Sequence, residues 1–274
     1  MRHLFFLAVG MTLFGCASSA PPLATQFMHT PLTIDGDEAD WSGMLAPMPD
    51  EDRNLAFAAV SDGQDLYIAF ATSDQQTVGQ ILAMGLTLWF DPDGGTAKTV
   101  GLRFPVGLGE NSLQALMRAP RDRPRDQQME ELFTASTAAL EVLRDGAEDG
   151  QRFRPGDVRG LDVSASLTMG TLFYELRFPL KSDSSTEVAI ELAEGAMLGF
   201  GMETRELDRA ALRDLMMEQR GGGRPDRGAG GGMMAGGGMP GAGAMGGGAR
   251  RPSMPKQLKI WRQIDVYGVA KTER

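Results

Sequence analysis

Short apolar runs separated by turns of Asp, Gly, Pro and Ser fill most of the chain after residue 54. Residues 55–60 and 66–70 are apolar and flank a polar loop, 61–65, that contains Gly63, a pattern that predicts a β-hairpin. Residues 84–90 and 99–104 predict a second hairpin around 91–98, where Pro92 presets one turn angle and Gly94 takes the positive one. Residues 163–169 and 171–179 read as further strands. In the latter, Leu172, Tyr174, Leu176 and Phe178 alternate onto one face, as in a strand half buried against a second sheet. Residues 197–202 and 258–269 predict the last two strands, with Leu258, Ile260, Arg262 and Ile264 on one side. Residues 127–143 suit either a short helix or another strand. Many short strands joined by turn chemistry predict an all-β protein, an antiparallel β-sandwich with one domain over 31–274.

The pattern changes just before the last strand. Residues 203–220 are rich in helix formers, and Leu207, Ala211 and Leu215 recur at fourfold spacing, which predicts a short helix over about 204–219. From about 221 to 255 the chain is mostly glycine with methionine and alanine. Burial cannot offset the backbone entropy of such a segment, so a long disordered loop is expected inside the domain. Its length costs little, because loop closure grows only with the logarithm of length.

The amino terminus carries a different signal. Arg2 and His3 precede an apolar run from 4 to 14, too short to span a bilayer and of signal-peptide length. It ends in Leu13-Phe-Gly-Cys16, which resembles a bacterial lipobox. That resemblance implies removal of residues 1–15, diacylglycerol on the Cys16 sulfur and, in the usual case, a further acyl chain such as palmitate on the new amino terminus. Cys16 is the sole cysteine of the chain. Two or three acyl chains hold a protein durably on a membrane. Ala17 stands where the sorting rule of Gram-negative lipoproteins places aspartate for retention in the inner membrane, so the implied address is the outer membrane of a bacterial cell envelope. Residues 16–30 read as a flexible tether.

Charge and residue content then narrow the chemistry. The chain has 27 Lys and Arg against 36 Asp and Glu, a formal net charge of −9, which disfavours nucleic acid as a partner. Its two histidines are His3 and His29, outside the predicted strands, and no Gly-x-Ser-x-Gly elbow or phosphate-binding glycine motif is present. Serine–histidine hydrolysis and histidine-ligated zinc are therefore excluded, and no enzyme is expected. Asp35, Asp37, Asp91 and Asp93 are hard oxygen donors on turns. They suit Ca²⁺ if they converge, and otherwise act as turn formers that bond their own backbone. Met233, Met234, Met239 and Met245 are soft ligands, but their spacing is irregular and no histidine accompanies them. Trp41, Trp89 and Trp261 are the three indoles. An exposed indole on a sandwich stacks against sugar rings, while a buried one fills core.

Four motifs occur in order: Ile34-Asp-Gly-Asp-Glu-Ala-Asp-Trp41, Asp65-Leu-Tyr-Ile-Ala-Phe70, Leu88-Trp-Phe-Asp91, and Tyr174-Glu-Leu-Arg-Phe-Pro-Leu180 followed by Leu198-Gly-Phe-Gly201. Together they resemble the family 9 carbohydrate-binding module and its DOMON-like relatives, over roughly 31–202 and 257–270. The resemblance implies a jelly-roll-like sandwich that binds sugar in some members and haem in others. The absence of histidine within the domain makes haem the weaker branch, and no other cofactor is implied. Two functions follow as expectations. One is a membrane-anchored, non-catalytic lipoprotein whose domain binds a carbohydrate or glycoconjugate. The other is a structural lipoprotein that contacts another envelope protein and no small ligand.

Overall fold

The structure, a computed structural model, describes residues 22–48, 53–108, 124–206 and 256–266. The described strands are β1 (Leu23–Ala24), β2 (Gln26–Phe27), β3 (Ala46–Pro47), β4 (Leu55–Ser61), β5 (Asp65–Thr72), β6 (Leu86–Asp91), β7 (Val100–Arg103), β8 (Leu140–Arg144), β9 (Gln151–Phe153), β10 (Asp162–Thr168), β11 (Thr171–Pro179), β12 (Met197–Thr204) and β13 (Lys259–Asp265). They form a seven-stranded sheet in the order β1-β13-β12-β6-β7-β8-β9 and a six-stranded sheet in the order β10-β11-β5-β4-β2, with β3 also paired to β4. The two predicted hairpins are β4–β5 and β6–β7, and the β-sandwich expected from the apolar pattern is the architecture observed, antiparallel except at two short edge pairings.

The inner faces of the two sheets make the main core. Leu172, Tyr174, Leu176 and Phe178 of β11 all point into it, beside Leu66, Ile68 and Phe70 of β5. From the other sheet come Leu88 and Phe90 of β6, Phe200 and Met202 of β12, and Leu258, Ile260 and Ile264 at the closing strand. Phe90 meets Phe178 edge-on at 4.9 Å between ring centroids, and Phe70 stacks on Tyr174 at 4.6 Å. Each fully buried side chain of this size contributes about 1.5–3 kcal/mol by leaving water, which holds the sheets face to face.

Several expectations are corrected. Two helices stand where the sequence reading placed none or left the choice open. The first, α1 (Gln75–Met84), is N-capped by Asp74, whose side chain accepts the Thr77 N–H at 2.9 Å, and buries Val78, Ile81 and Leu82 on one stripe. It stops at Gly85, whose φ of 81° favours glycine and where a Cβ would lie 2.7 Å from the Val106 carbonyl oxygen. The second, α2 (Arg125–Thr137), follows Pro124 and leads into β8, so the 127–143 segment is helix and then strand. Residues 23–27, expected in the tether, give one short strand to each sheet. Both pair in parallel, β1 with β13 and β2 with β4, so the sandwich is mixed. These strands form because their backbone groups find free sheet edges, and Leu23 packs on the core. Thr204, the expected start of the inserted helix, still belongs to β12. Arg205 and Glu206, also within the expected helix, are not helical, and the signal sequence, Cys16, residues 207–219 of that helix and the 221–255 loop lie outside the described residues.

Where the chain leaves and re-enters the sheet, its two sides are joined. The Thr204 N–H donates to the Leu258 carbonyl at 3.0 Å, the Leu258 N–H to Thr204 Oγ1 at 3.3 Å, and Gln257 Nε2 to the Thr204 carbonyl at 2.6 Å.

Candidate functional site

The outer face of the seven-stranded sheet is built from residues that alternate with the core. Register across the antiparallel pairs places Lys259, Glu203, Thr87, Arg103 and Glu141 in one row. The neighbouring row is Trp261, Gly201, Trp89, Gly101 and Leu143. Directly opposed residues share a face, so the two rows lie side by side.

Glycine on the strands beside the tryptophans makes the second row fit. A Cβ at Gly101 would lie 2.6 Å from the six-membered ring of Trp89, and one at Gly201 would lie 2.7 Å from the ring of Trp261. Each indole therefore rests on bare backbone of the next strand. Trp89 is buried, whereas Trp261 is partly exposed.

The charged row is fixed by hydrogen bonds. Arg103, buried, donates from Nε to Thr87 Oγ1 at 3.1 Å, from Nη1 to Glu141 Oε2 at 2.5 Å and from Nη2 to the Glu148 carbonyl at 2.8 Å. Burial pushes its guanidinium below the usual arginine value, with the like charge of Arg205 adding and Glu141 opposing. Arg205 reaches the same Glu141 oxygen at 3.4 Å. Glu203 accepts the Trp89 indole N–H at 2.8 Å and is ion-paired with Lys98.

These groups enclose a pocket of about 450 Å³. Trp89 and Thr87 belong to its lining, with the cations Lys98, Arg103, Arg205 and Lys259 and the carboxylates Glu148, Asp149, Glu203 and Glu206. Four positive and four negative side chains leave the lining balanced while offering donors and acceptors on several sides. Such a site is suited to a polar ligand with many hydroxyl groups. Of the residues singled out in the sequence, Trp89 lines this pocket and Trp261 stands in the same row, separated from it by Gly201. The charged residues escaped sequence reading, although each except Lys98, Arg205 and the loop acids sits at an outward position of a strand whose neighbours are apolar.

The six-stranded sheet treats its outer face differently. Trp41, on the 3-10 turn Glu38–Trp41 of the segment that carries Met28, Leu32, Ile34, Met44 and Leu45, is buried against Ala58, Val60, Tyr67, Ala69 and Phe173 of that face. Its indole N–H donates to Glu175 Oε2 at 2.9 Å, and the other oxygen of Glu175 accepts from the Gly36 N–H. With no accessible surface, Trp41 presents no face to a ligand. Burial raises the Glu175 carboxyl above the usual glutamate value of 4.5, against the hydrogen bonds from Gly36 and Trp41.

Three of the four aspartates act on their own turns, and Asp93 donates its N–H to one of them. Asp35 Oδ1 accepts the Asp37 N–H at 2.9 Å and Asp37 Oδ1 the Ala39 N–H at 3.0 Å. Asp91, at the end of β6 in the other sheet, accepts from Asp93 at 3.2 Å and from Ala97 at 2.8 Å. Among the described residues, no group of three or more His, Cys, Asp or Glu is arranged to hold a metal ion.

No family model matches the chain, and no curated protein does. In structure it is similar to a family 9 carbohydrate-binding module from Caldicellulosiruptor kristjanssonii, solved with glucose and with cellotriose. Both are 13% identical with a TM-score of 0.34. The match covers 69% of this chain and 80% and 78% of the two modules. A candidate carbohydrate-binding protein from Bacteroides uniformis is 8% identical with a TM-score of 0.32, over 66% of this chain and 82% of that one. The two-sheet architecture described above stands on this chain's own strand pairing.

Proposed function

We propose that this protein is a non-catalytic binding module for a carbohydrate or glycoconjugate, carried on a lipid anchor at Cys16 in a bacterial envelope. The observation that carries the reading is the pocket on the outer face of the seven-stranded sheet, where a tryptophan floor meets balanced cations and carboxylates. Sugar hydroxyls donate and accept at once, so a wall that mixes arginine, lysine and glutamate satisfies them in a way that a single-signed wall does not. The order of four motifs resembling the family 9 module supports the same reading. Pre-pairing of Arg103 with Thr87 and Glu141 holds the donors in place before a ligand arrives, which lowers the cost of binding.

Calorimetric titration of the protein with a panel of neutral, acidic and amino sugars tests it. Binding of at least one saccharide, abolished by Arg103→Ala, is the expected result. If no saccharide binds at millimolar concentration the reading is dropped, and an envelope-protein partner takes its place. The anchor rests on the Leu13-Phe-Gly-Cys16 sequence. Its test is membrane fractionation, in which Cys16→Ala is expected to release the protein from the membrane.

A further inference from the structure

The corner between Trp89 and Glu203 already holds a cation, and that cation belongs to the chain itself. Lys98 Nζ lies 5.4 Å from the centroid of the Trp89 ring. It is ion-paired to Glu203 Oε1, the same oxygen that accepts the indole N–H. An ammonium set against an indole face and held by a carboxylate is the arrangement that recognises amines. Lys98 lies on the loop between β6 and β7, not within a strand, and its side chain keeps 34% of its surface exposed against 13% for Glu203. The lysine stem is flexible, so it can swing out without disturbing the sheet.

The exchange on ligand entry is unequal for different ligands. A neutral ligand that lifts Lys98 off the corner leaves the Glu203 carboxylate with the indole N–H but without its counter-charge, in a largely desolvated place. A ligand that brings its own ammonium replaces like with like and releases Lys98 to water. The other walls, among them Arg103, Lys259 and Glu148, remain to meet hydroxyl groups.

We propose that the Trp89–Glu203 corner is a recognition point for a primary ammonium group on the ligand, and that Lys98 is a built-in competitor that sets selectivity. This rests on the reading of the same pocket as a saccharide site and narrows its ligand class to amino sugars.

The test is calorimetric titration of the full-length protein with glucosamine, at a pH where its amine is charged, and with glucose and N-acetylglucosamine as neutral references. Wild type, K98M and the double variant K98M/E203Q are compared. The ratio of glucosamine to glucose affinity is expected to favour glucosamine in the wild type, to rise about tenfold in K98M and to collapse when E203Q is added. K98Q is expected to move the ratio in the same direction and serves if K98M does not fold. A ratio unchanged by removal of Lys98, or an equal gain for N-acetylglucosamine, overturns the proposal. Glucose binding accompanied by that flat ratio sinks this proposal alone and leaves the saccharide reading standing. Absence of binding by all three sugars in both wild type and K98M overturns this proposal, and the saccharide reading falls with it when the panel of neutral, acidic and amino sugars also fails to bind.

Discussion

Against the outer face of each sheet a tryptophan donates its indole N–H to a strand glutamate: Trp41, from the covering segment, to Glu175 at 2.9 Å on one side, and Trp89, from β6 itself, to Glu203 at 2.8 Å on the other. On the six-stranded sheet the pair is sealed. The segment from Met28 to Leu45 contributes the tryptophan and packs over the face, Trp41 and Glu175 have no accessible surface, and the second glutamate oxygen serves the Gly36 N–H of the Asp-Gly corner. On the seven-stranded sheet the same pair borders a pocket of about 450 Å³, and its glutamate is shared with a lysine. One chemical unit therefore performs two tasks. Sealed, it staples an amino-terminal segment to the sheet. Bordering a pocket, it becomes a wall that a ligand can reach.

The contrast is broken most directly by removing the sealed ring. Trp41→Ala is expected to cost about 3–5 kcal/mol in urea unfolding, the range for deleting a large buried aromatic, and Trp89→Ala measurably less. Equal costs would mean that the two faces are equally closed and that the pocket has no separate standing. The glutamates sharpen the point. Glu175→Ala leaves the Gly36 and Trp41 N–H groups buried without acceptors, at about 2–3 kcal/mol, whereas Glu203→Ala leaves the Trp89 N–H beside a pocket that water can enter and is expected to cost less, about 1–2 kcal/mol.

A pH series separates the faces further. Burial raises the Glu175 carboxyl above 4.5 in the folded protein, so the folded state holds its proton to higher pH than the unfolded chain does. Between those two values the folded state binds more protons, and stability falls as pH rises through the window. The difference in unfolding free energy between wild type and Glu175→Gln is therefore expected to decline from about pH 4.5 upward and then level off; a difference that is flat across pH would remove burial as the cause. The smallest effect concerns a polar group with neither arrangement. The Tyr174 hydroxyl is buried between the sheets and, among the described residues, has no hydrogen-bond partner. Tyr174→Phe is expected to be neutral or to stabilise by about 1 kcal/mol, read by the same unfolding curves.

Much of the sandwich was legible in the sequence because its signals are local. Gly63 and the Pro92–Gly94 turn mark the hairpins, and the Leu172–Phe178 alternation marks the inner face of β11. Helix α1 was legible in principle, since Asp74 and Thr77 form its cap and Val78, Ile81 and Leu82 its stripe, but ten residues between strands make a weak pattern. The strands at 23–27 left no local trace, because two-residue strands exist only through the edges they meet. The site was hidden for the same kind of reason. Trp89 and Glu203 are 114 residues apart and Arg103 and Glu141 are 38 apart, and they meet only through the register of β12 on β6 and of β8 on β7. One clue was present: glycine at alternate positions of otherwise apolar strands, at Gly101 and Gly201, where a neighbouring indole needs bare backbone.

The bonds that join Thr204 to Gln257 and Leu258 have a consequence for how such a chain changes over time. With Glu203 registered against Lys259, the sheet's pairing reaches right up to the residues that flank this connection on both sides. Arg205, Glu206 and Gln257 place both flanks of that connection on the rim of the pocket. Strand pairing and pocket lining are thus set by different residues at this corner, so an exchange at Arg205 or Glu206 changes what the pocket presents while the register that holds the sheet stays as it is.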